Sequence, residues 1–127
     1  MTFTFCGDIK KFLTEMVKYE IALIEDGHNV FLPAMSIKDD LSNRNAKLDI
    51  NLSRNHMKKI TVSDAIVIFV SDDSAIGDKS CIDMLKAVEH HKKIFFTKNI
   101  TPDMKQMDIK GCIIYEYIAN EKPSEQR

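Results

Sequence analysis

The sequence predicts an α/β fold, in which helices cover both faces of a doubly wound, five-stranded parallel sheet of flavodoxin- or Rossmann-like strand order 2-1-3-4-5. Stretches typical of strands alternate along the chain with stretches typical of helices, which favours strand–helix–strand units. Residues 65–70, A-I-V-I-F-V, are apolar at every position, as expected for a central parallel strand covered on both faces. Five short strands favour an order whose switch point lies between strands one and three.

The first part of the chain predicts a strand, a helix and a second strand. Thr2–Cys6 alternates and carries two phenylalanines, so it predicts strand one, which ends at Gly7. Apolar residues recur at helical spacing over residues 10–26, and Gly27 follows where a helix favours a left-handed residue. Residues 29–32, before a proline, predict the short second strand. The periodic residues of the helix are Leu13, Met16, Val17, Ile21 and Ile24.

The rest of the chain predicts two helices and three strands. Residues 34–47 lack periodicity, so we expect a long loop or lid there. Helices are predicted over about 48–62, with Ile50, Met57 and Ile60 facing inward, and over about 79–91. After the strand at 65–70, residues 94–97 and 112–117 predict strands four and five. We expect one domain over residues 1–120 and a polar tail over 121–127.

Composition excludes several classes of partner. The net charge of the 127-residue chain is -1, and its basic residues are scattered, so we expect no duplex nucleic acid partner. The longest apolar run is too short to cross a bilayer, and the N-terminus lacks the pattern of a signal peptide. We therefore expect a cytoplasmic protein without a membrane partner.

Cysteine and histidine spacing predicts neither a disulfide framework nor a metal site. Cys6, Cys81 and Cys112 are odd in number and widely spaced, so they predict reduced thiols packed as small apolar groups. His90 and His91 are adjacent on a helix and point in different directions, with no carboxylate or cysteine at ligand spacing. We expect no metal and no cofactor.

The predicted fold places a ligand site beyond the carboxyl ends of strands one and three. Those ends are residues 6–10, C-G-D-I-K, and residues 71–79, S-D-D-S-A-I-G-D-K. The second stretch is not a phosphate-binding P-loop, because that motif needs an earlier glycine and a lysine directly after the later one. The sequence thus predicts a crevice between these two segments.

Several polar residues in the crevice have both a functional and a structural interpretation. Gly7 would let a ligand approach the backbone and Lys10 could hold an anionic group, whereas Asp8 could simply cap the first helix. Asp83, in the helix after the second segment, could act as a carboxylate nucleophile or be a solvated first-turn residue. Asp72, with its acidic neighbours Asp73 and Asp78, could bind sugar hydroxyls or a cation, or could only solvate a loop and begin a helix.

Four segments follow one another in order and at suitable spacing over about residues 2–98. They are T-F-C-G-D-I-K at residues 4–10, E-D-G-H-N-V-F-L-P at 25–33, H-M-K-K-I-T-V-S-D-A-I-V-I at 56–68 and I-G-D-K-S-C-I-D-M-L-K-A at 76–87. Together they resemble the nucleoside 2-deoxyribosyltransferase family and its relatives, the 2'-deoxynucleoside 5'-phosphate N-hydrolases. The first is similar to aromatic-C-G-S-I-R and the second to G-H-x-V…P. The third is similar to a stretch that ends in A/S-D and an apolar strand, and the fourth to I-G-E-S-T-x-x-E-I-x-Y-A.

The resemblance implies cleavage or transfer at an N-glycosidic bond by a carboxylate nucleophile. In that family a glutamate attacks the anomeric carbon, and Asp83, one methylene shorter, falls on that glutamate. His56 falls where several members have an aspartate that contacts the substrate. Asp8 stands where the nucleotide hydrolases have a serine, and Lys10 matches a basic position. The implied catalytic residues are Asp83 and His56, and the implied substrate-binding residues are Cys6, Gly7, Asp8, Ile9, Lys10, Asp72, Gly77 and Ser80.

The departures from the family pattern leave two hypotheses. The chain is either an enzyme that acts on a nucleoside or nucleotide, or a catalytically inactive relative that senses nucleotides or binds other proteins. The family commonly forms dimers, so the resemblance also implies a homodimer.

Overall fold

The computed structural model describes residues 1–33 and 46–118, without the side chains of residues 46–49. Nearly all of the predicted loop or lid at 34–47, and the whole polar tail at 121–127, therefore lie outside the described residues. In chain order the elements are β1 Thr2–Cys6, α1 Ile9–Glu25, β2 Asn29–Phe31, α2 Ala46–Val62, β3 Ala65–Ile68, α3 Asp78–Glu89, β4 Lys93–Phe96, β5 Lys105–Ile109 and β6 Cys112–Glu116.

The strands form one mixed sheet in the order β2-β1-β3-β4-β6-β5. The pairs β1–β2, β1–β3 and β3–β4 are parallel. The doubly wound α/β fold is confirmed, and so is the central position of β1 between β2 and β3. Because consecutive parallel strands need a crossover, α1, α2 and α3 supply the three connections.

The last part of the sheet corrects the prediction of five parallel strands. β6 runs antiparallel to β4, and a sixth strand, β5, pairs antiparallel with β6. Lys110 and Gly111 join β5 to β6 with φ angles of 54° and 89°. Two left-handed residues make the tight turn that suits a hairpin, so these two strands must be antiparallel.

Two apolar clusters, one on each face of the sheet, hold the helices in place. α1 packs through Met16 and Leu23 onto a face that includes Phe69. α2 and α3 cover the other face, where Ile60 and Ala87 are fully buried. In β3 the odd-numbered residues belong to the first cluster and the even-numbered ones to the second. The uniformly apolar 65–70 segment is therefore explained by burial on both faces.

Some helical apolar residues face outward instead of inward. On α1 the side chains of Leu13, Val17, Ile21 and Ile24 are exposed. On α2, Ile60 is buried as predicted, but Ile50 is 51% exposed, so its predicted inward orientation is wrong. Helical spacing identified the helices, but it did not distinguish the two sides of helices that carry apolar residues on more than one face.

The cysteines and the residue after α1 agree with the sequence predictions, except for the exposure of Cys81. All three cysteines are free; Cys6 and Cys112 are buried, whereas Cys81 is exposed, contrary to the prediction that it is packed. Gly27 has a φ of +92°, which confirms the predicted left-handed residue after α1. None of the helices within the described residues is both long enough and apolar enough to cross a bilayer.

Candidate functional site

A cavity opens where the carboxyl ends of β1 and β3 meet. Cys6 is the register partner of Ile68, so the segments that follow these two strands start side by side. The cavity has a volume of about 780 Å³, which is within the range of small-molecule sites. Eight of the ten residues singled out from the sequence line it, namely Gly7, Asp8, Ile9, Lys10, His56, Gly77, Ser80 and Asp83.

Gly7 lies in the turn between β1 and α1. Its φ is +147°, a value that residues with a side chain rarely adopt. An added Cβ would lie 3.2 Å from Cδ2 of Phe12 and 3.3 Å from Cβ of Phe69. Glycine is therefore required both by the backbone conformation and by the close packing behind it.

The central polar contact of the cavity joins α2 to α3. Nε2 of His56 lies 3.0 Å from Oδ2 of Asp83, and the two side chains are 14% and 5% exposed. A carboxylate at this depth needs a hydrogen-bond donor, and the imidazole N–H of His56 supplies one. Asp83 is thus a buried, paired carboxylate and not the solvated first-turn residue of the structural interpretation.

Cys6 lies behind this pair at the end of β1 and is fully buried. Burial raises the pKa of its thiol well above the ordinary value, and the charge of Asp83 and a hydrogen bond to it raise that pKa further. The thiol is therefore protonated at neutral pH. One donor atom from each of Cys6, His56 and Asp83 lies within 4.8 Å of the others.

The second ring nitrogen of His56 limits what this side chain can do. Nδ1 is buried and has no hydrogen-bond partner among the described residues. Because Nε2 is already engaged with Asp83, neither nitrogen is presented to the open part of the cavity. The arrangement suits His56 to orienting Asp83 better than to delivering a proton to a ligand.

The turn before α1 combines the two interpretations of residues 8–10. The side chain of Asp8 accepts a hydrogen bond from the backbone N–H of Lys10 at 3.0 Å, so Asp8 caps α1 as the structural interpretation has it. Asp8 and Lys10 also line the cavity, and Ile9 is largely buried beneath them. On the opposite wall, Gly77 precedes α3.

Asp72 lies outside the cavity lining. Its side chain is fully exposed, and Oδ1 lies 3.4 Å from Nζ of Lys98. Ser80 is 3% exposed and lies on α3 one turn before Asp83, on the same face. The segment after β3 thus borders the cavity through Gly77 and Asp78, whereas Asp72 does not line it.

Other lining residues were not singled out from the sequence. Lys11 donates a hydrogen bond from Nζ to Oγ of Ser71 at 2.5 Å, which ties α1 to the segment after β3. Phe12 adds an aromatic side chain to the wall, and Ser53 with Leu52 adds the inner side of α2. The position of Lys11 beside Lys10, in the first turn of α1, could have identified it as a lining residue. No feature of the sequence distinguishes Ser53 in this way.

Comparison with known proteins gives matches in structure only. No protein-family model and no curated protein matches the chain. A 2-deoxyribosyltransferase from Bacillus psychrosaccharolyticus matches with a TM-score of 0.58 and 14% identity, over 80% of this chain and 77% of that one. A CMP N-glycosidase of Clostridium botulinum matches with a TM-score of 0.49 and 15% identity. The second match covers 74% of this chain and 66% of that protein, just under two thirds of its length.

The chain has the fold of a nucleoside 2-deoxyribosyltransferase. At 14% identity this relationship is distant and concerns the fold. The fold expectation drawn from the four sequence segments is confirmed at that level. What the site binds and does depends on its own side chains.

Proposed function

We propose that the protein binds a nucleoside or nucleotide in the cavity between β1 and β3 and cleaves its N-glycosidic bond, with Asp83 as the nucleophile. The observation that carries the proposal is the His56–Asp83 pair in the wall of a cavity at the switch point. The fold shared with a 2-deoxyribosyltransferase supports the same class of substrate.

The buried pair suits nucleophilic attack at a sugar carbon. Because His56 binds Oδ2, the carboxylate is held in one orientation and Oδ1 remains to attack. A largely buried carboxylate, such as that of Asp83, stabilises an oxocarbenium-like centre more strongly than one in bulk water. Lys10 and Lys11 line the same cavity and would attract the polar or phosphorylated end of the ligand.

The reaction proceeds in two balanced steps. Oδ1 of Asp83 bonds to the anomeric carbon while the C–N bond breaks, and the base leaves with that electron pair and takes up a proton from water. The glycosyl ester is then attacked by water, which gives hydrolysis, or by a second base, which gives transfer. His56 keeps its hydrogen bond to Oδ2 throughout and acts as a positioning residue.

Base release from a panel of deoxyribo- and ribonucleosides and their monophosphates tests the proposal. Liberated base is separated by chromatography for the wild-type protein and for Asp83→Ala. We expect Asp83→Ala to lose on the order of a thousandfold or more in rate, as is usual when a covalent nucleophile is removed.

Asp103→Ala is the matched control, because Asp103 is exposed and does not line the cavity. It should retain the wild-type rate. If the folded wild-type protein releases no base from any member of the panel, or if Asp83→Ala retains its rate, the catalytic proposal is wrong.

Binding without turnover is the second candidate, and the depth of Asp83 favours it. The side chain is only 5% exposed, His56 is hydrogen-bonded to its carboxylate, and the Cys6 sulfur lies within 4.8 Å of a carboxylate oxygen. On this hypothesis the protein is a nucleotide sensor or an interaction module. Nucleotides would raise the melting temperature without being cleaved in the first case and would have no effect in the second.

Two further proposals concern assembly and compartment. The resemblance supports a homodimer, which light scattering would show as a molar mass twice that of the chain. The three free thiols support a cytoplasmic location, where cysteines stay reduced. Cell fractionation of the tagged protein tests the second proposal.

A further inference from the structure

The side chains of Cys6, His56 and Asp83 lie close together in the fold, although the three residues are far apart in the sequence. They come from three elements, β1, α2 and α3, and meet at the wall of the cavity, which His56 and Asp83 line. Each offers one ligand atom, a thiol sulfur, an imidazole nitrogen or a carboxylate oxygen, and these atoms lie within 4.8 Å of one another. Sulfur, nitrogen and oxygen donors in one buried set are typical of zinc coordination.

We propose that Cys6, His56 and Asp83 bind a divalent transition-metal ion of the zinc class at the wall of the cavity. This inference goes beyond glycosidic cleavage and replaces the expectation that the chain holds no metal.

The separations of the three ligand atoms suit a tetrahedral ion. Bonds of about 2.0 to 2.3 Å in that geometry place ligand atoms about 3.3 to 3.8 Å apart. Nε2 of His56 and Oδ2 of Asp83 are 3.0 Å apart, and all three atoms lie within 4.8 Å of one another. The ion therefore requires the histidine and the aspartate to separate slightly and the thiol to approach, without movement of a whole helix.

Charge and protons balance when the ion enters. The Cys6 thiol gives its proton to solvent, and the resulting thiolate and the Asp83 carboxylate together neutralise a dication. His56 binds through the lone pair of Nε2 and carries its proton on Nδ1. The set of three protein ligands resembles open zinc sites, in which water or a ligand fills the remaining position.

The proposed ion and the proposed nucleophile compete for the same carboxylate. If the proposed function holds, a bound ion occupies Asp83 and breaks its hydrogen bond to His56, so base release stops in the presence of the ion. Metal binding itself requires no substrate, so a protein that releases no base still tests the metal proposal.

Cobalt substitution and zinc absorption spectroscopy on the full chain test the site. One equivalent of Co²⁺ should give the visible bands of a tetrahedral complex and a sulfur-to-cobalt charge-transfer band. X-ray absorption at the zinc edge of the wild-type protein should show one sulfur neighbour at about 2.3 Å and oxygen or nitrogen neighbours at about 2.0 to 2.1 Å.

The chain offers a matched pair of cysteine variants. Cys6→Ser should weaken zinc binding by on the order of a hundredfold or more, since even groups outside the ligand set are worth ten- to a hundredfold. Cys81→Ser should bind as the wild type does, because Cys81 is exposed and lies outside the cluster.

Three outcomes would overturn the proposal. The first is that the wild-type protein binds zinc no more strongly than the Cys6→Ser protein, in which surface histidines can still bind the ion. The second is an X-ray absorption spectrum of the wild-type protein that shows no sulfur neighbour of zinc. The third is that Cys81→Ser loses zinc binding while Cys6→Ser keeps it. The wild-type spectrum decides the matter even if Cys6→Ser does not fold.

Discussion

The hydrogen bond between His56 and Asp83 should be measurable as an energetic coupling between the two helices that carry it. The test is a double-mutant cycle of His56→Phe and Asp83→Asn. Phenylalanine keeps a ring at position 56 and removes its N–H, whereas asparagine keeps the shape of the acceptor and removes its charge. The measured quantity is the free energy of unfolding of the four proteins.

The expected magnitude follows from the burial of the pair. The side chains are 14% and 5% exposed, so solvent does not screen the contact strongly. A hydrogen bond to a charged group contributes about 1.5 to 3 kcal/mol and one between neutral groups about 0.5 to 1.5 kcal/mol. His56→Phe should therefore cost about 2 to 3 kcal/mol in the wild type and about 1 kcal/mol in the Asp83→Asn background. The coupling energy is the difference, about 1 to 2 kcal/mol.

Urea denaturation at neutral pH, followed by circular dichroism, provides the four free energies. His90→Phe is the control, because His90 lies at the end of α3 and is exposed; its effect should stay within about 0.5 kcal/mol. A coupling below about 0.5 kcal/mol, the usual error of additivity for independent sites, would refute the inference that His56 holds the carboxylate.

Two further predictions concern Gly7, in the turn before α1, and Tyr19, on the buried side of α1. Gly7→Ala should lower the free energy of unfolding by about 2 to 4 kcal/mol, because the strained backbone adds to the close contacts of the new Cβ. Gly77→Ala is the control, because Gly77 has open space around it and no left-handed φ. It should lower the free energy of unfolding by less than about 1 kcal/mol in the same denaturation assay. Burial raises the pKa of Tyr19 to about 12. The stabilisation that comes from the neutral phenol is therefore fully present below about pH 10 and is lost as the pH rises to about 12. We expect a loss of about 1 to 2 kcal/mol in the free energy of unfolding, a value reduced because solvent reaches the hydroxyl. Urea midpoints across that range should show the loss in the wild type and not in Tyr19→Phe, and an equal loss in both would contradict the assignment.

Much of the fold could be predicted because its central strands have strong patterns. The apolar segment at 65–70 and the alternation in Thr2–Cys6 identified buried strands, and their place in chain order gave the switch point. β5 was missed because its sequence, K-Q-M-D-I, is polar and lies at the edge of the sheet. The direction of β6 depends on a hairpin that only the pairing with β5 reveals.

The site was predictable in position more than in detail. The topology determines which strand ends meet, so the two loops followed from the order of the strands. The pairing of His56 with Asp83 joins residues 27 positions apart on different helices, and no local pattern records such a contact. The same reason hid the proximity of Cys6 to this pair, because Cys6 is distant from both residues in the sequence.

The two edges of the sheet bear on how copies of the chain could associate. One edge strand, β2, has only three residues, and the other, β5, exposes the side chains of Lys105, Gln106 and Asp108. Short strands and charged edge residues both oppose the addition of a further strand from another molecule. The sheet is therefore protected against growth into fibrils by edge pairing. Within the described residues, the exposed apolar side of α1 suits the pairing of two copies better than either sheet edge does.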